Sequence, residues 1–285
     1  MANMDVNPKT LEVKARKLDF AKYKARSALE EDCSILVDYD CLITENGIPR
    51  ILYCKVNADT QNLRWAVKNI KYDESTRTNG LKTRSAIFGY SPRVTIRKDY
   101  CSVTAMARNF PKQHFVICNF AKQLTKLYEE FFPDTLKKHY ETTKNKIRSD
   151  WTLADTPFTS GIVNKNNPLK YHHDAGNFKN VLSNMIVLKR GVIGGRLACP
   201  EYDIKFECDD NHVVIFDGAE ILHGVTPIIK PEGDENCYRY SVVYYSLEQM
   251  WKCDGVNEEI KRIRKVKKER EHKRVSGSTG SDPKE

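Results

Sequence analysis

Between residues 161 and 246 the chain is built from short apolar or alternating runs, at 161–163, 169–174, 183–189, 195–199, 203–208, 212–216, 222–227 and 239–246. Runs this short, bounded by turn formers, suit strands rather than helices. The punctuation is explicit: Gly194-Gly195, Asp209-Asp210-Asn211 and Glu232-Gly233-Asp234 all separate such runs. A series of short strands joined by tight turns points to a double-sheet jelly roll, the cupin-like relative of a barrel. Upstream, Phe120, Leu124, Leu127, Tyr128 and Phe131 recur at helical spacing over residues 119–142. Pro133 interrupts that helix and 136–147 resumes it. The expected class is therefore α+β, with helices packed on the outer face of the larger sheet.

Two histidines and a carboxylate fall on these strands. If 169–174 is extended, side chains alternate, so His172 and Asp174 share one face and His173 takes the other. An imidazole beside a carboxylate is two-thirds of the 2-His-1-carboxylate set. That set holds mononuclear Fe(II) and leaves positions open for a co-substrate and dioxygen. A solitary H-x-D is more often a surface loop or a hydrogen-bonded core pair, so the context decides. His223 offers a third ligand: it follows the apolar run His212-Val213-Val214-Ile215-Phe216 and opens the next strand. Arg239 stands sixteen residues further on, with Ser241 on the same strand face. A guanidinium suits a carboxylate there because its fork grips both oxygens; a structural ion pair is the plain alternative. His212 is expected to be exposed rather than a ligand.

The order H-x-D, H, R-x-S on successive strands resembles the Fe(II)/2-oxoglutarate-dependent dioxygenases of the double-stranded β-helix fold. Within them the chain resembles the TET/JBP group, which hydroxylates thymine and 5-methylcytosine in nucleic acid. The closer likeness is carried by Thr156-Pro157-Phe158-Thr159-Ser160, His172-His173-Asp174-Ala175-Gly176, Gly194-Gly195-Arg196-Leu197, Phe216-Asp217-Gly218, His223-Gly224 and Arg239 through Tyr245. It covers about residues 82–252. The resemblance implies that His172, Asp174 and His223 bind Fe(II). It implies that Arg239 and Ser241 hold the distal carboxylate of 2-oxoglutarate, with ascorbate an alternative co-substrate. The implied partners are dioxygen and DNA carrying 5-methylcytosine or thymine, whose base must leave the stack to be reached. Arg84, Phe158, Tyr171 and Asn177 are the candidate substrate contacts. Two other readings stay open: a prolyl- or lysyl-type protein hydroxylase, and an inactive nucleic-acid-binding jelly roll.

Around this centre the expectations are plainer. Residues 9–32, rich in Lys, Arg and Glu, read as a helix, and 32–56 as a hairpin whose strands 34–37 and 51–54 flank Glu45-Asn46-Gly47. Residues 57–82 read as loop with a short helix near 63–71. Arg77, Lys82 and Arg84 then precede Phe88-Gly89-Tyr90, a mixture suited to gripping a nucleic-acid backbone. The net charge of +9 is concentrated in residues 261–274, which hold nine Lys/Arg against two Glu. Such a tail suits phosphate binding without sequence preference. The alternative is a helix packed on the roll through Ile260, Ile263 and Val266. Residues from 276 onward have the composition of a disordered end. The domains read as an N-terminal extension (1–81), an oxygenase core (82–252) and a basic tail (253–285).

Nine scattered cysteines with no C-x-x-C read as reduced thiols in an intracellular protein, nuclear in a eukaryote, cytoplasmic in a bacterium or phage. No apolar run approaches the roughly 20 residues that cross a bilayer, and residues 1–10 lack the apolar stretch of a secretory signal. No membrane partner is expected.

Overall fold

The computed structural model describes residues 6–24, 26–76, 82–93 and 99–276. Two sheets form the roll. The larger runs Lys9–Glu12, Cys41–Glu45, Ile48–Lys55, His212–Phe216, Ser183–Arg190, Tyr238–Tyr245, Ser160–Lys165, Lys82–Ser91, Asp73–Thr76, each hydrogen-bonded to the next. The smaller runs Ile35–Val37, Ile204–Phe206, Leu197–Cys199, His223–Val225, Leu169–His172. The two-residue side-chain period sorts the core into two layers. Met185, Val187, Val214 and Phe216 face the smaller sheet and pack with Leu197, Ile204, Phe206 and Val225. Ile186, Leu188, Val213, Ile215, Val242 and Tyr244 point the other way, against Leu124, Leu127 and Tyr128 of the helix Pro111–Phe131. That helix and Pro133–Lys146 meet at Phe132, each with a proline in its first turn, so Pro133 ends one helix and starts the other.

The N-terminal third departs from the expected pattern. Residues 9–32 are not a helix: Lys9–Glu12 is a strand paired parallel to Cys41–Glu45, and only Phe20–Tyr23 and Glu30–Asp32 turn helically. The charged run has no continuous apolar stripe to bury, so sheet pairing overrides propensity. The hairpin exists one strand later than expected. Cys41–Glu45 pairs with Ile48–Lys55 around Asn46 and Gly47, both at positive φ (54° and 74°). Two such residues make the turn whose twist matches the flanking strands. Ile35–Val37 joins the smaller sheet instead, beside Ile204–Phe206. Arg77 and residues 277–285 lie outside the described residues.

The basic segment is a helix, Val256–Val275. The packed-helix reading holds only in part: Ile260 is exposed and Ile263 and Val266 are half-buried. What holds the helix is its first turn. Glu259 is buried, accepts from the Cys101 backbone N–H (2.9 Å) and pairs with Arg93. Cys101 and Cys253 form a disulfide, so the expectation that every cysteine is a free thiol is corrected; seven free cysteines are buried. His212 is also not exposed. Its ring stacks on Tyr53 at 4.9 Å within the inter-sheet layer.

Candidate metal centre and carboxylate site

His172 ends one strand of the smaller sheet and His223 begins its neighbour, and the two are paired across the ladder. Their rings lie 4.4 Å apart. Asp174 is not on the strand, which stops at His172. The chain turns, and the Asp174 backbone N–H donates to the Gly218 carbonyl (2.7 Å), which swings the carboxylate back alongside. Asp174 Oδ1 then sits 3.6 Å from His172 Nε2 and 3.8 Å from His223 Nε2. One ligand atom from each residue lies within 4.8 Å of the others, the only such cluster among the described residues.

The backbone sets the tautomers. His172 Nδ1 is 2.8 Å from the Lys170 carbonyl and His223 Nδ1 is 2.9 Å from the Ile221 carbonyl. A carbonyl only accepts, so each Nδ1 carries the proton and each Nε2 offers its lone pair to the centre. Electrostatics agree with this. Burial pushes the His223 pKa down to about 4, against the pull of Asp174, so the ring is neutral. Burial alone would raise Asp174, but the His172 hydrogen bond and the charge interactions with His223, His172 and His173 outweigh it, and its pKa falls below the ordinary value. A carboxylate with two imidazoles that turn their Nε2 atoms to the centre is the donor set a divalent iron needs.

The centre opens into a cleft of 360 Å³, walled by apolar Ile162, Met185, Phe216 and Val243 and edged by Asn164, Ser241, Asn177 and His173. Arg239 lies below Ser241 on the strand Tyr238–Tyr245. It is only 1% exposed, and its Nε and Nη2 have no hydrogen-bond partner. Burial lowers its pKa, only partly offset by Cys208 alongside. The structural ion pair that would have explained this arginine is absent among the described residues. Room for the side chain comes from Gly195, at φ +72°, where a Cβ would stand 2.6 Å from Arg239 Cδ. Buried donors without acceptors are costly in isolation, so the arrangement fits a ligand that brings a carboxylate.

The other substrate candidates part company. Asn177 lines the cleft, and its Nδ2 also donates to Asp174 Oδ2 (3.3 Å), steadying that carboxylate. Phe158 does not reach the cleft. It is fully buried in the helix layer against Tyr128, His139 and Tyr244. Tyr171 faces away from the centre, as strand alternation from His172 requires, and donates to Asp32 Oδ2 (2.9 Å). Arg84 pairs with Glu74 (2.8 Å) near the sheet edge and lines no wall of the cleft. Sequence reasoning missed Asn164, which pairs in register with Ser241 and lines the cleft. Its Oδ1 is occupied by Ser85 Oγ and Asn167 Nδ2, leaving its amide N–H groups for a ligand. The signal available was its position two residues from Ile162 on a strand beside the arginine strand.

Gly218 entered only as part of the family likeness, without a role. A Cβ there would stand 2.3 Å from Asp174 Oδ2. Gly218→Ala is therefore expected to push the carboxylate out of line and weaken metal binding by roughly 10–100-fold, the usual cost of losing an orienting partner. Anaerobic titration with Fe(II) measures this; unchanged affinity would mean that the turn absorbs the methyl.

The model of the Tet_JBP oxygenase domain, of the 2OGFeDO superfamily, matches residues 95–248. The chain belongs to the TET/JBP oxygenase family. Membership implies Fe(II) and 2-oxoglutarate, and the donor set at His172, Asp174 and His223 with the free Nε and Nη2 of buried Arg239 fits both. Among curated relatives, a bifunctional helicase and thymine dioxygenase JBP2 of Leishmania braziliensis is 26% identical over 200 residues, 70% of this chain and 17% of that protein. A thymine dioxygenase JBP1 of Trypanosoma brucei brucei is 25% identical over 192 residues, 67% of this chain and 22% of that one. The chain thus spans about a fifth of the length of these relatives. Among solved structures, NgTET1 in complex with 5mC DNA superposes with a TM-score of 0.58 at 16% identity, covering 85% of this chain and 89% of that one. That likeness is one of fold, and it agrees with the α+β jelly roll of the two sheets described above.

Proposed function

We propose that the protein is an Fe(II)- and 2-oxoglutarate-dependent dioxygenase that hydroxylates the 5-methyl group of a pyrimidine, 5-methylcytosine or thymine, in DNA. The observation that carries this is the pairing of a three-ligand centre, open to a cleft, with a buried arginine whose Nε and Nη2 meet no acceptor, on the strand that lines the same cleft through Ser241 and Val243. Bound at His172, Asp174 and His223, iron would supply dioxygen activation, with 2-oxoglutarate as the source of two electrons. The chain's own residues do the rest. Arg239 and Ser241 anchor the co-substrate's distal carboxylate, and Asn164 adds an amide donor beside them. Ile162, Met185, Phe216 and Val243 keep water from the reacting methyl group. His173 and Asn177 stand at the edge through which a flipped base would enter. The thymine dioxygenase named among the relatives supports a pyrimidine methyl as the target. The basic helix Val256–Val275 adds phosphate contacts.

Incubation with Fe(II), 2-oxoglutarate and DNA containing both thymine and 5-methylcytosine, followed by nucleoside mass spectrometry, tests the proposal and selects between the bases. Succinate formed only with DNA, with a hydroxymethylated nucleoside, is the expected result. Succinate formed with peptides but not DNA would assign a protein hydroxylase. No turnover with any substrate would leave a binding module, and turnover with ascorbate alone would replace the co-substrate.

A further inference from the structure

Residues 13–27 contain one helical turn, Phe20–Tyr23, yet are held at both ends. Arg16 donates to the Pro200 carbonyl (2.8 Å) and pairs with Asp203 (3.0 Å). At the other end the Arg26 carbonyl accepts from the Tyr171 backbone N–H (2.9 Å), and Ser27 bridges to Lys170. Between these anchors the strap touches the cleft's lining at His173. The Phe20 ring lies 5.6 Å from that of His173, inclined at 61°, and His173 lines the cleft with His172 and Asp174. Phe20 is 49% exposed, so this contact buries only part of a large apolar ring. The strap holds six Lys/Arg against one Asp over residues 14–26. Lys14, Lys17 and Lys24 are exposed and have no carboxylate partner among the described residues.

A half-exposed aromatic ring flanked by unpaired ammonium groups suits a nucleic acid: bases stack on ring faces, and ammonium groups neutralise phosphates. Resting on the reading of DNA as substrate, we infer that residues 14–26 are a DNA-binding strap. In it Phe20, braced by His173, stacks on the duplex step opened when the target base swings into the cleft. The strap lies upstream of the matched family domain, which begins at residue 95. Removing a base from a duplex is costly, and it is least costly when the base is mispaired or single-stranded. A ring that compensates for lost stacking therefore matters most on paired DNA.

The test compares kcat/KM for the parent, Phe20→Ala and Phe20→Trp on one sequence in three forms: fully paired, mispaired at the target, and single-stranded. Phe20→Ala is expected to lose roughly five- to hundredfold on paired DNA, the range of one base–aromatic stack. It should lose no more than about threefold on the other two forms, where less unstacking is needed. Phe20→Trp should restore the paired-duplex rate. Equal losses on all three forms, or none on any, would overturn the inference. A parent that oxidises DNA while Phe20→Ala keeps the parent's ratio of duplex to single-strand turnover removes the strap alone. A parent that oxidises none of the three forms removes the DNA reading and the strap with it.

Discussion

Asp174→Ala is expected to retain no iron after desalting and to release no succinate, while melting as a folded protein. The carboxylate is the hinge of the centre: its Oδ1 faces both Nε2 atoms at 3.6 and 3.8 Å, while its Oδ2 is held by Asn177. Removing a partner that merely orients a ligand costs about 10–100-fold in affinity. Removing the only anionic ligand of three must cost more than about 100-fold, because two neutral imidazoles then face a divalent cation with no charge to match it. The fold should survive. Asp174 lies in a turn, and the bond that places it is made by its backbone N–H to Gly218, which alanine keeps. Anaerobic Fe(II) binding and succinate release, read beside a melting curve, check this. Iron retention with full turnover would move the centre elsewhere, and His212 is no substitute, since its ring is committed to Tyr53.

Much of this centre was legible because strands impose a simple rule. The run His212–Phe216 reads from the sequence with the bounds it has in the fold, since five residues buried on both faces leave no other periodicity. The same rule puts Ser241 and Val243 on the cleft side, with Arg239 on their strand face, and Tyr240, Val242 and Tyr244 in the helix layer. Applied to His172, it would have turned Tyr171 away from the site. Phe158 failed for a different reason: nearness in sequence to the metal strand says nothing about which layer a ring enters. The N-terminal segment was opaque because its structure comes from its partners. Lys9–Glu12 is a strand through Cys41–Glu45, and residues 13–27 are fixed by anchors at Pro200, Asp203 and Tyr171. The Cys101–Cys253 bond spans 152 residues and has no local signature.

Arg239→Met should make the ligand-free protein at least as stable as the parent while nearly abolishing its use of 2-oxoglutarate. A fully buried guanidinium whose Nε and Nη2 meet no acceptor carries its desolvation cost uncompensated. Methionine fills similar space without the charge, and replacing buried charges by packed apolar groups is often neutral or stabilising by about 1–4 kcal/mol. The ligand-bound state reverses the sign. There the guanidinium would meet a carboxylate, and truncating one member of a buried charge pair costs about 2–5 kcal/mol. That is roughly thirtyfold to several-thousandfold in the apparent KM for 2-oxoglutarate, at 1.4 kcal/mol per decade. Melting under anaerobic Fe(II), with and without 2-oxoglutarate, separates the two effects. In the parent, saturating ligand at 100 times its Kd should add about 2.7 kcal/mol; in Arg239→Met the same concentration should add almost nothing. A variant that melts lower than the parent without ligand, yet shifts as far with it, would make Arg239 a structural residue. The carboxylate grip would then have to come from Ser241 and Asn164 alone. Gly195 gives a second handle on the same claim, because its missing Cβ is what leaves room for the arginine's stem. A Gly195→Ala protein that binds 2-oxoglutarate as the parent does would argue that the guanidinium can move without loss, and so does not hold the ligand.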